Sequence, residues 1–98
     1  MNVKKLICGT KMEIALKGKF DTISASTFES EIVGELTDVT ELVIDMSNVE
    51  YISSAGLRVL LTMQKRLNGR GSVTVTNVCP EVKNVLDVTG FTEMLNIN

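Results

Sequence analysis

The sequence predicts one α/β domain over residues 1–98, a mixed β-sheet of four to five strands with about three helices in the order β-β-α-β-α-β-α-(β). Three observations carry this. Strict apolar/polar alternation opens the chain, short β-branched runs recur later, and helical apolar spacing with capping residues lies between them. Strand-helix-strand units from residue 41 onward imply parallel pairing through right-handed crossovers. The 98 residues, 44% apolar and 22% charged with a single Pro, suit one globular core without linker or repeat.

Val3 to Cys8 and Lys11 to Phe20 form the opening pair. In the second, Met12, Ile14 and Leu16 alternate with Glu13, Ala15 and Lys17, and Gly9-Thr10 between the two runs is a hairpin turn. Ser26-Thr27-Phe28-Glu29 matches a capping box, with Ala25, Phe28, Ile32 and Leu36 at helical spacing, so a first helix is expected to run to about Leu36. Gly34 within it marks either a close packing contact or an early end. Glu41 to Met46 reads as a central strand covered on both faces, followed by a turn at Ser47-Asn48. Ser53-Ser54-Ala55-Gly56 opens a second helix whose stripe holds Leu57, Val59, Leu60, Leu61, Met63 and Leu67, and Asn68-Gly69 ends it. Ser72 to Val78 alternates again. Pro80 starts a third helix through Val82, Val85 and Leu86, Gly90 stops it, and Leu95-Asn96-Ile97 is a candidate edge strand.

Composition removes many chemistries. The chain has no His, so the commonest general base, Ser-His and Cys-His nucleophile pairs and histidine metal sites are absent. No P-loop, Rossmann glycine pattern or G-x-S-x-G elbow occurs. The two cysteines, Cys8 and Cys79, form no C-x-x-C pair and read as reduced, buried small apolar residues. No catalytic residue, metal site or cofactor is expected. The N-terminus lacks a secretory apolar region, and nothing approaches the ~20 apolar residues of a membrane span, so a cytoplasmic monomer without membrane contact is expected.

The net charge of −2 conceals segregation. Residues 1–19 carry five Lys and one Glu, residues 20–50 eight carboxylates and no Lys or Arg, and residues 51–80 Arg58, Lys65, Arg66 and Arg70 without an acid. Either the folded surface is dipolar and steers a charged protein partner, or neighbouring elements neutralise one another. The basic blocks lack interleaved aromatics, so nucleic acid is not an expected partner.

In open α/β sheets, sites gather beyond the carboxyl ends of the strands. That edge collects Asp21-Thr22 and the turn leading to Gly56. Ser53 and Ser54 stand where the second helix begins; both are ordinary N-cap residues, or one caps while the other faces solvent. Ala55 and Gly56 leave the local N–H groups unshielded, which favours a negative group there.

The stretch Ile44-Asp45-Met46-Ser47-Asn48-Val49-Glu50-Tyr51-Ile52-Ser53-Ser54-Ala55-Gly56-Leu57-Arg58 resembles the signature of STAS domains, specifically the stand-alone bacterial anti-sigma factor antagonists. Gly18-Lys19-Phe20-Asp21 and Val85-Leu86-Asp87-Val88-Thr89-Gly90-Phe91 resemble two further family motifs, so the likeness covers nearly the whole chain. It implies a non-enzymatic partner switch. A serine kinase that is also the anti-sigma factor phosphorylates the antagonist, a PP2C-type phosphatase reverses this, and the unphosphorylated form binds the kinase and frees a sigma factor. Matched residue by residue, the acceptor is Ser54, and Asp21, Thr22, Ser53, Ser54, Gly56 and Arg58 are implied partner-binding positions. Three departures stand out: Ser53 replaces the usual Asp and is a competing acceptor, Ala55 replaces Ser/Thr, and Arg58 replaces Gly. Arg58 either tempers the phosphate charge or contacts the partner, or else is a solvent-facing helix charge. The alternative is a STAS scaffold module that is never phosphorylated.

Overall fold

In the computed structural model, which describes residues 2–90 and 96–97, β1 (Asn2–Cys8) and β2 (Lys11–Phe20) form the opening hairpin, paired from Asn2↔Lys17 to Cys8↔Lys11. Gly9 turns at φ 61°, the positive value that the first position of a type II′ hairpin turn requires. Next come α1 (Thr22–Ile32), a single 3-10 turn (Val33–Glu35), β3 (Glu41–Ile52), α2 (Ser54–Leu67), β4 (Ser72–Thr76), α3 (Pro80–Val88) and β5 (Asn96–Ile97). The sheet order is β1-β2-β3-β4-β5, antiparallel between β1 and β2 and parallel thereafter.

Because each crossover steps one strand further in the same direction, crossovers of the usual hand put every helix on one side of the sheet. The core agrees: Met12, Ile14 and Leu16 of β2, Leu42, Ile44 and Met46 of β3, and Val73 and Val75 of β4 form one buried cluster with Phe28 and Ile32 of α1, Leu60 and Met63 of α2, and Val82 and Leu86 of α3. Phe20 and Phe28 meet edge to face, ring centroids 5.6 Å apart at 86°, which fixes α1 over the end of β2. The radius of gyration, 12.1 Å, is that of one small domain.

Five expectations are corrected. The first helix begins at Thr22 instead of Ser26: Asp21 accepts the Ser24 N–H at 3.0 Å while Ser24 Oγ accepts the Asp21 N–H at 2.9 Å, a reciprocal cap directly after β2. It ends at Ile32, and a Cβ built on Gly34 would touch nothing within 4 Å, so this glycine marks the early end. β3 does not turn at Ser47-Asn48 but runs on to Ile52 through register shifts, Met46 and Ser47 of β3 opposing Leu16 of β2 between the pairs Ala15/Asp45 and Lys17/Asn48. The Asp45 carboxylate holds this bulge, accepting the Ser47 N–H at 2.9 Å and the Asn77 side-chain amide at 3.1 Å. Both bonds favour the charged form, so the Ser47 contact first and the Asn77 contact second hold Asp45 below the ordinary carboxylate range.

Nor is β3 covered on both faces. On the side away from the helices, Leu6, Glu13, Val43 and Thr74 stand in a cross-strand row, Leu6 at 63% exposure, and no described helix packs on that face. Finally, Cys8 is exposed beside Lys11 at the hairpin end, while Cys79, half-buried, precedes α3 with Sγ 3.4 Å from the Val49 carbonyl; both thiols are free. The segregated charges partly meet, Lys5 of the basic N-terminal block reaching Glu35 of the acidic one at 2.6 Å. The expected Leu95 strand residue and the Phe91 of the last motif lie outside the described residues.

Candidate functional site

β2 and β3 end in register, Phe20 opposite Ile52, and each strand passes at the next residue into a helix N-cap. Two caps therefore stand side by side: Asp21 for α1 and Ser53 for α2. They are tied by the backbone, since the Ser53 N–H donates to the Phe20 carbonyl at 2.9 Å. Gly56 permits this closeness. It is buried, and a Cβ there would fall 2.9 Å from Ile52 Cγ1 and 3.0 Å from the Phe20 carbonyl oxygen.

The two serines separate by role. Ser53 has extended backbone (φ −90°, ψ 171°), is half-buried, and its Oγ accepts the Gly56 N–H at 3.2 Å. That bond satisfies one of the free donors of the first helical turn, as an N-cap does. Ser54 is the first residue of α2, exposed, and its hydroxyl has no hydrogen-bond partner among the described residues. The Gly56 N–H is thus engaged by Ser53 and is not an open donor, whereas no acidic side chain occupies the first turn of α2.

Asp21 is half-buried at the neighbouring cap, and its pKa lies below the usual carboxylate value because the Ser24 N–H, and after it the Ser24 hydroxyl, bond to it. Its negative charge stands at the start of α1, where the helix dipole favours it. Thr22 is exposed at the first position of α1, the counterpart of Ser54 on α2. Arg58, one turn into α2, is exposed and its guanidinium bonds to no described residue. Of the residues singled out in the sequence, Asp21, Thr22, Ser53, Ser54 and Arg58 are thus gathered at one corner, with Gly56 beneath it as packing.

Two neighbours of this corner were not singled out. Ile23 is 80% exposed and Tyr51 51% exposed, among the largest uncovered apolar groups of the described chain. Shallow recesses of about 470 Å³ and 480 Å³ lie on either side of Lys19, one bordered by Ile23 and Asp21, the other by Tyr51 and Glu50. A signal existed for Ile23, which falls off the Ala25-Phe28-Ile32 stripe. An apolar residue outside a helix's buried stripe needs another reason to be there. Among the described residues no group of His, Cys, Asp or Glu converges as a metal site, and no helix is long and apolar enough to cross a membrane.

Comparison with known proteins bears on the family and the fold. The profile of the STAS domain covers residues 3–98. BtrV of Bordetella bronchiseptica, named as an anti-sigma factor antagonist, is 32% identical over 78 residues, 78% of this chain and 67% of that protein. RsfB of Mycobacterium tuberculosis, named an anti-sigma-F factor antagonist, is 35% identical over 71 residues, 62% of this chain and 57% of RsfB. Among solved structures, the anti-sigma factor antagonist SpoIIAA in its unphosphorylated form superposes with a TM-score of 0.87 at 17% identity, over 99% of this chain and 88% of that one, a likeness of fold. With the profile matched along nearly its full length, the chain belongs to the STAS domain family.

Proposed function

We propose that this protein is an anti-sigma factor antagonist that switches partners through one hydroxyl, Ser54 Oγ. Unmodified, it binds an anti-sigma factor that is also a serine kinase, and a sigma factor is released. The kinase transfers the γ-phosphoryl group of ATP to Ser54 Oγ, the hydroxyl proton leaves and ADP departs; a PP2C-type phosphatase hydrolyses the ester and resets the switch. The protein performs no chemistry itself. The observation that carries this reading is the exposed Ser54 hydroxyl, without a hydrogen-bond partner among the described residues, beside a Ser53 whose hydroxyl is already committed to capping. The names of BtrV and RsfB support the antagonist role.

A phosphate adds about −1.5 to −2 charges at pH 7, and at the start of α2 it meets the favourable end of the helix dipole, so the fold tolerates it. Docking does not. Buried in an interface next to the ionised Asp21, the same charge costs several kcal/mol unless matched, a loss of ~100-fold or more in affinity. Asp21, Thr22, Ser54 and Arg58 form the docking rim in this reading, with Ser53 and Gly56 holding its shape.

The test incubates the purified protein with the serine kinase/anti-sigma factors encoded by its own organism and reads intact mass and affinity. A single phosphoryl group on wild type, retention of a kinase by Ser54→Ala and its loss with Ser54→Asp are expected. Because Ser53 occupies the position of an acidic neighbour, a scaffold module that is never phosphorylated is the second reading. Equal retention by wild type and both variants, with no mass change, selects it. Phosphorylation that persists in Ser54→Ala and vanishes in Ser53→Ala overturns the assignment of the acceptor.

A further inference from the structure

Arg58 is four residues beyond Ser54 on α2, so the two side chains share one face of the helix. This chain closes such a pair elsewhere: on α3, Lys83 Nζ and Asp87 Oδ1, also four apart, stand 3.2 Å from each other. Arg58 has nothing comparable. The residues three and four positions away from it are Ser54, Ala55, Leu61 and Thr62, none of them ionised, and the ion pairs of the described residues, Lys5–Glu35, Lys11–Glu13 and Lys83–Asp87, leave it out. The carboxylates of the adjoining α1, Glu29 and Glu31, are likewise not within ion-pairing distance. An exposed guanidinium thus sits one turn from a hydroxyl, with the order reading anion first and cation second once the hydroxyl is phosphorylated, the favourable order along a helix.

We infer that Arg58 is the intramolecular counter-ion of a phosphate on Ser54, an inference that rests on Ser54 being the acceptor. Its planar fork matches two phosphate oxygens. The unmodified protein offers this guanidinium to a carboxylate on the docking partner, and phosphorylation both installs an anion and draws the cation back onto the protein's own surface. Modification therefore changes two charges of the rim, and the partner surface that fits the unmodified form carries an acidic side chain opposite Arg58.

Phosphoserine placed at position 54 during translation tests this without any kinase. The ³¹P resonance is titrated in the otherwise native protein and in the Arg58→Ala, Arg58→Gln and Arg58→Lys backgrounds, all exposed-site changes. The second ionisation is expected about 0.3 units lower with Arg58 than with Ala or Gln there, with Lys in between, and the Arg58 Nε–H resonance should move when the phosphate ionises. Equal midpoints in the native, Ala and Gln backgrounds with an unmoved Nε–H resonance overturn the inference. That result leaves the kinase reading standing, whereas a kinase that ignores Ser54 leaves the installed phosphate fully readable, so the two failures are distinguishable.

Discussion

At the far end of α2 another arginine behaves in the opposite way to Arg58. Arg70 donates from Nε to the Arg66 carbonyl at 3.0 Å, from Nη1 to the Thr37 carbonyl at 2.6 Å and from Nη2 to the Leu36 carbonyl at 2.9 Å. It ties the exit of α2 to the segment leading into β3, near the amino ends of the parallel strands. There the backbone is linked as well, since the Thr40 N–H donates to the Thr10 carbonyl at 2.8 Å and the Ser72 N–H to the Thr40 carbonyl at 2.9 Å. Among the described residues the carboxyl end has one comparable backbone link, from Ser53 to Phe20, and leaves Ser54, Ile23, Tyr51 and Arg58 uncovered. One end spends its polar groups on itself and fixes the fold; the other caps its helices and leaves its remaining groups open to another protein.

The glycines at the two ends give the largest test of that contrast. A Cβ on Gly71 would lie 2.0 Å from the Thr40 carbonyl oxygen and 2.6 Å from its carbon, backbone atoms that cannot yield without breaking the link between β3 and β4. Gly71→Ala should cost about 3 kcal/mol or more in urea unfolding. Gly56→Ala would set its Cβ 2.9 Å from Ile52 Cγ1 and 3.0 Å from the Phe20 carbonyl oxygen, a milder clash than the 2.0 Å at Gly71, and should cost about 1–2 kcal/mol. Equal costs would remove the distinction between a tighter and a looser end. Smaller, and sharper, is the pair of arginines: Arg70→Ala should lose about 1–2 kcal/mol because three carbonyl contacts go, while Arg58→Ala should stay within about 0.5 kcal/mol of wild type. The serines come next. Ser53→Ala removes the cap and should cost about 1 kcal/mol, whereas Ser54→Ala should change stability by less than about 0.5 kcal/mol, both by thermal melting. A larger effect at Ser54 than at Ser53 would reverse the roles given to them.

What the sequence made legible was what is decided locally. The Gly9 turn, the Ser53 start of α2 and the Pro80 start of α3 rest on neighbours in the chain. Ser26-x-x-Glu29 misled because it satisfies the same local rule as the true cap. What selects Asp21-x-x-Ser24 is that Phe20 pairs with Ile52 and ends β2 there, a contact between residues far apart in sequence. The continuation of β3 beyond Ser47 was hidden for the same reason, since Asn77, 32 residues beyond Asp45, helps hold the bulge. Val43 looked like the inner residue of a doubly covered strand, yet its cross-strand neighbours are Glu13 and Thr74, which suit a face open to water. At the candidate site, the residues could be named from the motif, but which serine caps and which stays free depends on a hydrogen bond to Gly56 that either hydroxyl type could make.

Acid separates the two ends by a smaller effect. Asp21 and Asp45 both have pKa values lowered in the folded state, so each contributes stability that is fully present above the unfolded value near 3.9 and is lost as pH falls through the lower folded value. Urea midpoints measured from pH 6 down to pH 2 should therefore fall mainly below about pH 4. Asp21→Asn keeps an acceptor for the Ser24 N–H but removes the titrating group, and Asp45→Asn does the same at the β3 bulge, so each variant should show a shallower acid slope than wild type. Arg70 makes its bonds to carbonyls, which do not titrate, so Arg70→Ala should lower the whole profile without changing that slope. A slope unchanged in both Asn variants would mean that neither carboxylate contact is stronger in the folded than in the unfolded chain, and the caps at the open end would then rest on backbone and hydroxyl groups alone.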